Sequence, residues 1–207
     1  MDETGVDWNR LAPAYPRQVW LERSSLSTAL DLLDPRPDER LLDVGTGTAE
    51  LLRSLSQRPV RPEETIGVDP CRNMLRQAAP LPEAWDLLRA SGEDLPFPDQ
   101  SFDLVTASYL LHVLDRETRG RVIAEAARVL KPGGRLLTIT IAPPLSAPVR
   151  LLTAPFRWAA GRWPARFIGL QPLDPAAEIE RGGFREIDRR RDFLGYPALC
   201  LLAVSSG

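Results

Sequence analysis

A chain of 207 residues, 43% hydrophobic and 26% charged, has the length and composition of a single folded domain and is not a disordered segment. A net charge of −2 offers no global attraction to nucleic acid or to an anionic membrane, so no nucleic-acid partner is expected. Two cysteines, Cys71 and Cys200, and one histidine, His112, exclude a disulfide framework and a multi-histidine metal site, and no metal is expected.

In chain order, residues 1–39 come first. Leu26, Leu30 and Leu33 recur there at helical spacing, which predicts a helix over 24–33. Next comes Leu41-Leu42-Asp43-Val44-Gly45-Thr46-Gly47-Thr48-Ala49-Glu50-Leu51-Leu52, a strand, a tight turn and a helix running to 57. Glycine at such a turn permits unusual φ/ψ and close approach of a ligand to the backbone. The helix start adds unpaired N–H groups and the positive end of a dipole. A second strand over 64–69 ends in Asp69, 24 residues after Gly45, near the spacing at which an acid reaches a ribose hydroxyl. With Pro70 directly behind it, Asp69 equally suits a helix cap or a turn. Glu50 occupies the place of the third glycine in a dinucleotide fingerprint, and a carboxylate there repels pyrophosphate. NAD and FAD are therefore disfavoured, while Asp43 at the strand end matches a cationic ligand.

A helix from 73, carrying Met74, stops before Pro80, and 85–90 reads as a third strand. Residues 102–108 form a fourth strand, whose end, Ser108-Tyr109-Leu110-Leu111-His112, lies where open parallel sheets bind ligands. Tyr109 and His112 are candidate catalytic residues; His112 suits a general base near neutral pH and equally a capping or packing role. Val122, Ile123, Ala126, Val129 and Leu130 line one face of a helix over 116–130, which Lys131-Pro132-Gly133-Gly134 should end before a fifth strand over 135–142. Over 143–172 apolar residues, Trp158 and Trp163 among them, alternate with arginines, as in a lid helix or in a helix packed on its own sheet. Packing is preferred, so peripheral membrane contact is not favoured. A short helix over 176–181 and strands over 184–193 and 197–204 finish the domain. No apolar run reaches membrane-spanning length and no leader pattern opens the chain, so a cytoplasmic protein is expected.

Four stretches, in order and at matching intervals, carry a family resemblance. The run 41–52 resembles motif I of class I S-adenosylmethionine-dependent methyltransferases. Val68-Asp69-Pro70 with Asn73-Met74-Leu75 resembles the next motif. The stretch 92–103, beginning Gly92-Glu93-Asp94-Leu95, resembles the third, and Leu130-Lys131-Pro132-Gly133-Gly134 the turn before strand five. The nearest branch is the ubiquinone/menaquinone C-methyltransferase-like group. The resemblance implies an α/β, Rossmann-like, seven-stranded, mostly parallel sheet with helices on both faces and the last strand antiparallel. It further implies a helical cap over 1–39, a cofactor core over 40–142, a substrate-side insertion over 143–172 and a C-terminal helix and strand pair over 173–207. The implied cofactor is S-adenosylmethionine, leaving as S-adenosylhomocysteine. Its implied contacts are Asp43, Gly45, Thr46, Gly47, Asp69, Pro70, Met74, Gly92, Glu93, Asp94, Leu95 and Ser108. The family often places an Asp where Ser91 stands, so adenine recognition shifts to Gly92, Glu93 or Asp94. Trp8, Tyr15 and His112 are candidate substrate contacts, and the two aromatics are equally candidates for the core.

The sulfonium makes its methyl strongly electrophilic, so alignment of an acceptor can supply on the order of 7–11 kcal/mol without dedicated acid–base groups. The expected activity is methyl transfer to a small or lipophilic molecule such as a quinol or phenol. A non-catalytic S-adenosylmethionine-binding module and a Rossmann-type oxidoreductase are the alternatives.

Overall fold

The computed structural model describes residues 19–78, 80–144, 171–195 and 197–206. The expected substrate contacts Trp8 and Tyr15, and nearly all of the segment 143–172, lie outside these residues. Seven strands form one sheet: β1 (Arg40–Val44), β2 (Glu64–Val68), β3 (Trp85–Leu88), β4 (Phe102–Ser108), β5 (Leu130–Ile141), β6 (Phe184–Asp192) and β7 (Ala198–Ser205). Their order is β3-β2-β1-β4-β5-β7-β6. The first five run parallel, and β7 alone is antiparallel to its neighbours β5 and β6. This is the sheet that the resemblance implied.

Consecutive residues of a strand point to opposite faces, and the sheet is apolar on both. Leu41, Leu104, Leu137 and Leu202 face one helical layer; Leu42, Val105, Leu136 and Leu201 face the other. The first layer is α1 (Arg23–Leu33) with α2 (Glu50–Ser56). Leu26, Ala29, Leu30 and Leu33 of α1 are all within 1% of complete burial, as their spacing requires. Asp34 closes α1 in the left-handed conformation, φ 45°, and donates its N–H to Leu30 O. The second layer is α4 (Arg116–Val129) with α5 (Ala176–Arg181), packed through Val122, Ile123, Ala126, Val129 and Ile179. Asp115 caps α4, its carboxylate accepting from Glu117 N at 2.8 Å and Thr118 N at 3.0 Å.

Two boundaries differ from expectation. The helix after Asp69, α3, is a single turn, Arg72–Leu75. Strand β5 begins at Leu130, because that residue both ends α4 and pairs with Phe102; the Lys131–Gly134 turn lies inside the strand as an irregularity with Gly133 at φ 74°. The carbonyls of Arg128 and Val129 accept from Gln100 N and Ser101 N, so the helix ends on the β4 approach and not on its own turn.

The β6–β7 connection pins the start of α1 over the carboxyl end of the sheet. Ser24 and Thr28 donate to Asp192 Oδ2 at 2.6 and 3.0 Å, and Leu194 N donates to Asp192 Oδ1. Gly195, at φ 112°, packs directly on the backbone of Leu21, and a Cβ there would run into the Leu21 carbonyl oxygen. Gly195→Ala is therefore expected to lower stability by on the order of 1–3 kcal/mol. Thermal unfolding reads this as a clear fall in Tm; an unchanged Tm would show that the loop does not hold α1.

Candidate active site

The order β3-β2-β1-β4-β5 reverses direction between β1 and β4, and ligands bind beyond the carboxyl ends of strands at such a switch. A cavity of about 330 Å³ opens there, the size of a small-molecule site. Its floor is the glycine turn. Gly45 at φ 70° and Gly47 at φ 55° use the left-handed region, and Ala49 at φ 61° follows them into α2. Gly45 N and Thr46 N both donate to Val68 O at 2.9 Å, which holds the turn against the end of β2. A Cβ on Gly45 would lie 2.8 Å from Leu110 Cδ1, so only glycine leaves this floor clear.

Asp69 ties the turn to the next helix. Its Oδ2 accepts from Gly47 N at 2.9 Å and its Oδ1 from Cys71 N at 2.7 Å. The turn role that Pro70 suggested is thus real, and the same carboxylate also lines the cavity. Each carboxylate oxygen has more than one acceptor site, so this duty leaves capacity for further donors.

Asp43 is buried, 1% exposed, at the end of β1. Burial raises its pKa from 3.8 to about 6; Thr106 Oγ1, donating to Oδ1 at 2.7 Å, works in the opposite direction. Asp43 and Thr46 do not line the main cavity. They border a recess of about 30 Å³ beside it, together with Glu22 and Glu50. Glu50 is ion-paired to Arg53, and among the described residues no basic side chain lines the recess. This end of the site is acidic, which suits a cationic group and opposes a pyrophosphate.

Of the other expected contacts, Pro70, Met74, Gly92, Glu93 and Ser108 line the cavity. Asp94 and Leu95 do not: Asp94 pairs back on Ser91, and Leu95 is 3% exposed in the core with its N–H donated to Glu125 Oε2 at 2.7 Å. Their place in the cofactor set is not supported by this geometry. Tyr109 lies in the wall at φ 53°, strained for a residue with a Cβ. Its hydroxyl shares a 2.7 Å hydrogen bond with Ser25 of α1, and burial holds the phenol well above its ordinary pKa. Tyr109 is therefore protonated at neutral pH and turned toward α1, not poised as a base. His112 is 5% exposed in a 3₁₀ turn, Leu111–Val113, edge-on to the Tyr109 ring at 5.9 Å, and is absent from the cavity lining. A base role would require it to leave that packing.

Leu110 lines the wall, as its place after strand four predicts; sequence reasoning missed the rest of the apolar wall, Val113, Leu114 and Val122, and the polar contributors Cys71 and Thr118. The helical spacing of Val122 marked it for the core, and only its position at the sheet end brings it to the cavity.

Comparison with known proteins shows what the chain around this site is similar to. Residues 42–138 match the methyltransferase domain family. An uncharacterized methyltransferase of Mycobacterium tuberculosis is 36% identical over 130 residues, 62% of this chain and 46% of that protein. The ubiquinone/menaquinone biosynthesis C-methyltransferase of Vibrio cholerae is 34% identical over 136 residues, 59% of this chain and 49% of that protein. The match thus spans just under half the length of these curated relatives. A Haloferax volcanii chain solved in complex with the Trm112 methyltransferase activator has the same fold, with a TM-score of 0.75 at 17% identity over 98% of this chain and 99% of that one. Among the described residues no helix is long and apolar enough to cross a membrane. The glycine turn, Asp69 and the end of β4 all fall within residues 42–138, the stretch that is similar to the methyltransferase domain family.

Proposed function

We propose that the protein transfers a methyl group from S-adenosylmethionine to a small or lipophilic acceptor, a quinol or phenol in the first instance. The observation that carries this reading is the pairing, on one switch-point cavity, of an acidic recess with a ribose-suited carboxylate. Asp43 and Glu22 border the recess, where the amino-acid end of a cationic cofactor is stabilised. Asp69, one strand over, accepts the ribose hydroxyls while keeping the glycine turn in place. A dinucleotide would bring its pyrophosphate to Gly45–Gly47 beside these acids, which is why this reading stands ahead of an oxidoreductase.

When bound, S-adenosylmethionine supplies an electrophilic methyl on a sulfonium. The chain's own contribution is positioning. Gly45 and Gly47 admit the ligand to the backbone, Leu110 closes over Gly45, and Ser108 and Leu114 form the side that an acceptor would approach. The apolar surface of Leu110, Val113 and Leu114 favours a lipophilic acceptor and keeps water from the reacting atoms. An acceptor that has already given its proton to solvent, such as a phenolate, needs no basic side chain, in keeping with the positions of Tyr109 and His112. The quinone-directed name of the Vibrio cholerae relative supports testing quinols first.

The test is incubation with tritiated-methyl S-adenosylmethionine and a panel of demethylated quinols, phenols and amines. Label is expected in a quinol or phenol; transfer to none of them, by protein that binds the cofactor, would favour a non-catalytic binding module.

A further inference from the structure

Among the described residues the three most exposed large apolar side chains are Leu194, Trp20 and Phe193, at 77%, 65% and 58%. They come from opposite ends of the chain and meet at one place. Trp20 sits in a 3₁₀ turn, Val19–Leu21, while Phe193 and Leu194 directly follow β6. Gly195 packs on the Leu21 backbone, so Trp20 and Leu194 each stand one residue from that contact. The platform beneath them is fixed, because Asp192 accepts from Ser24, Thr28 and Leu194 N. Strands β5 and β6 both run antiparallel to β7, so this tip stands at the carboxyl end of the sheet, the end that carries the cavity. Glu22, just before α1, and Leu26 within it border the recess beside that cavity.

We propose that Trp20, Phe193 and Leu194 form a docking tip for a lipid bilayer with anionic headgroups, a surface other than the segment 143–172. The inference goes beyond methyl transfer and stands without it. Three large side chains exposed to this extent offer on the order of 400 Å² of apolar surface, the range in which a patch marks an interaction. A second copy of the chain is a poorer occupant. Two such tips would bury about 800 Å² in total, below the ~1,200 Å² at which specific interfaces begin. Pairing them would also bring like charges together. Arg23 opens α1 beside the turn of Trp20, and Arg190 and Arg191 lead into the tip. The acids described nearby are Glu22 and Asp192, both buried, and Asp188, which lies 3.7 Å from Arg190. A basic rim of this kind suits lipid phosphates. The net charge of −2 gives no long-range pull on a membrane, so the apolar tip drives contact and the arginines act only within a Debye length. Tryptophan suits the boundary, with an apolar ring for the acyl region and an N–H for the wet side. A lipophilic acceptor dissolved in the bilayer would then meet the cavity end of the sheet without crossing water.

Sedimentation of the full chain with phosphatidylcholine vesicles, with and without phosphatidylglycerol, tests this on wild type and on a Phe193→Ser/Leu194→Ser variant. The variant keeps the Leu194 N–H, and exposed positions contribute little to stability, so Tm should not move. Wild type should partition onto the anionic vesicles about fivefold better than onto the neutral ones. The variant should partition about tenfold less than wild type. Vesicles with brominated acyl chains should quench wild-type tryptophan fluorescence, and Trp20→Phe should lose most of that quenching. Absence of wild type from both vesicle pellets, equal partition of the double variant, or full quenching in Trp20→Phe overturns the proposal. So does a concentration-dependent dimer in place of vesicle binding, lost in the double variant, since a second copy would then cover the tip. None of these results bears on the methyl-transfer reading.

Discussion

Asp43→Asn is expected to make the ligand-free protein more stable and to weaken its hold on the cofactor. Asp43 is buried, and a pKa raised from 3.8 to about 6 corresponds to about 3 kcal/mol against the charged form. Asparagine keeps the shape and the oxygen that accepts from Thr106 while removing the buried charge. A gain of about 1–3 kcal/mol at pH 7.5 is expected, a rise in Tm of several degrees. The pH dependence follows from the same shift. Between pH 3.8 and about 6 the native Asp43 holds a proton that the unfolded chain has released. Its contribution to stability is fully present below that window and is lost as pH rises through about 6; the Asn variant should lack this component. Binding goes the other way, because the charge that destabilises the empty site attracts a cationic ligand. Affinity for S-adenosylmethionine should fall on the order of tenfold to a hundredfold in the variant. In wild type it should weaken as pH drops below about 6. A variant no more stable than wild type, with unchanged affinity, would remove Asp43 from the account.

Asp69→Asn should cost binding more than any other single polar change in the site. The carboxylate accepts two backbone N–H groups, Gly47 and Cys71, and in the proposed complex two ribose hydroxyls as well. An amide offers one oxygen and turns its NH₂ toward one of those N–H donors, a direct mismatch worth about 1–3 kcal/mol of stability. The ribose loses a charged acceptor, so S-adenosylhomocysteine affinity should drop on the order of a hundredfold. Tm and calorimetry on the same preparation separate the two effects. Affinity within about threefold of wild type in a folded variant would confine Asp69 to the turn.

Much of the architecture was readable because its causes are local. Leu41-Leu42, Leu104-Val105 and Leu136-Leu137 sit in apolar runs because both sheet faces are covered, and Gly45 and Gly47 mark a turn that needs positive φ. The helix of 176–181 and the strand over 102–108 fall where their residues predict. What could not be read depends on contacts between distant segments. Leu95 resembles Glu93 in its loop, yet α4 draws the Leu95 backbone into the core and leaves Glu93 on the cavity. Tyr109 and His112 follow Ser108 toward the site, but the left-handed backbone at Tyr109 carries its side chain to Ser25 and His112 packs behind it. Glu22 borders the acidic recess only because the β6–β7 connection holds the start of α1 over the carboxyl end of the sheet.

On the proposed function, the cavity takes a cationic adenosyl ligand and not a dinucleotide. The most direct measurement of this is parallel calorimetric titration of the purified protein with S-adenosylmethionine, S-adenosylhomocysteine and NAD⁺. Saturable binding of the first two and none of NAD⁺ is expected. Binding of NAD⁺ instead, or of no ligand by a protein whose thermal unfolding shows it to be folded, would contradict that reading.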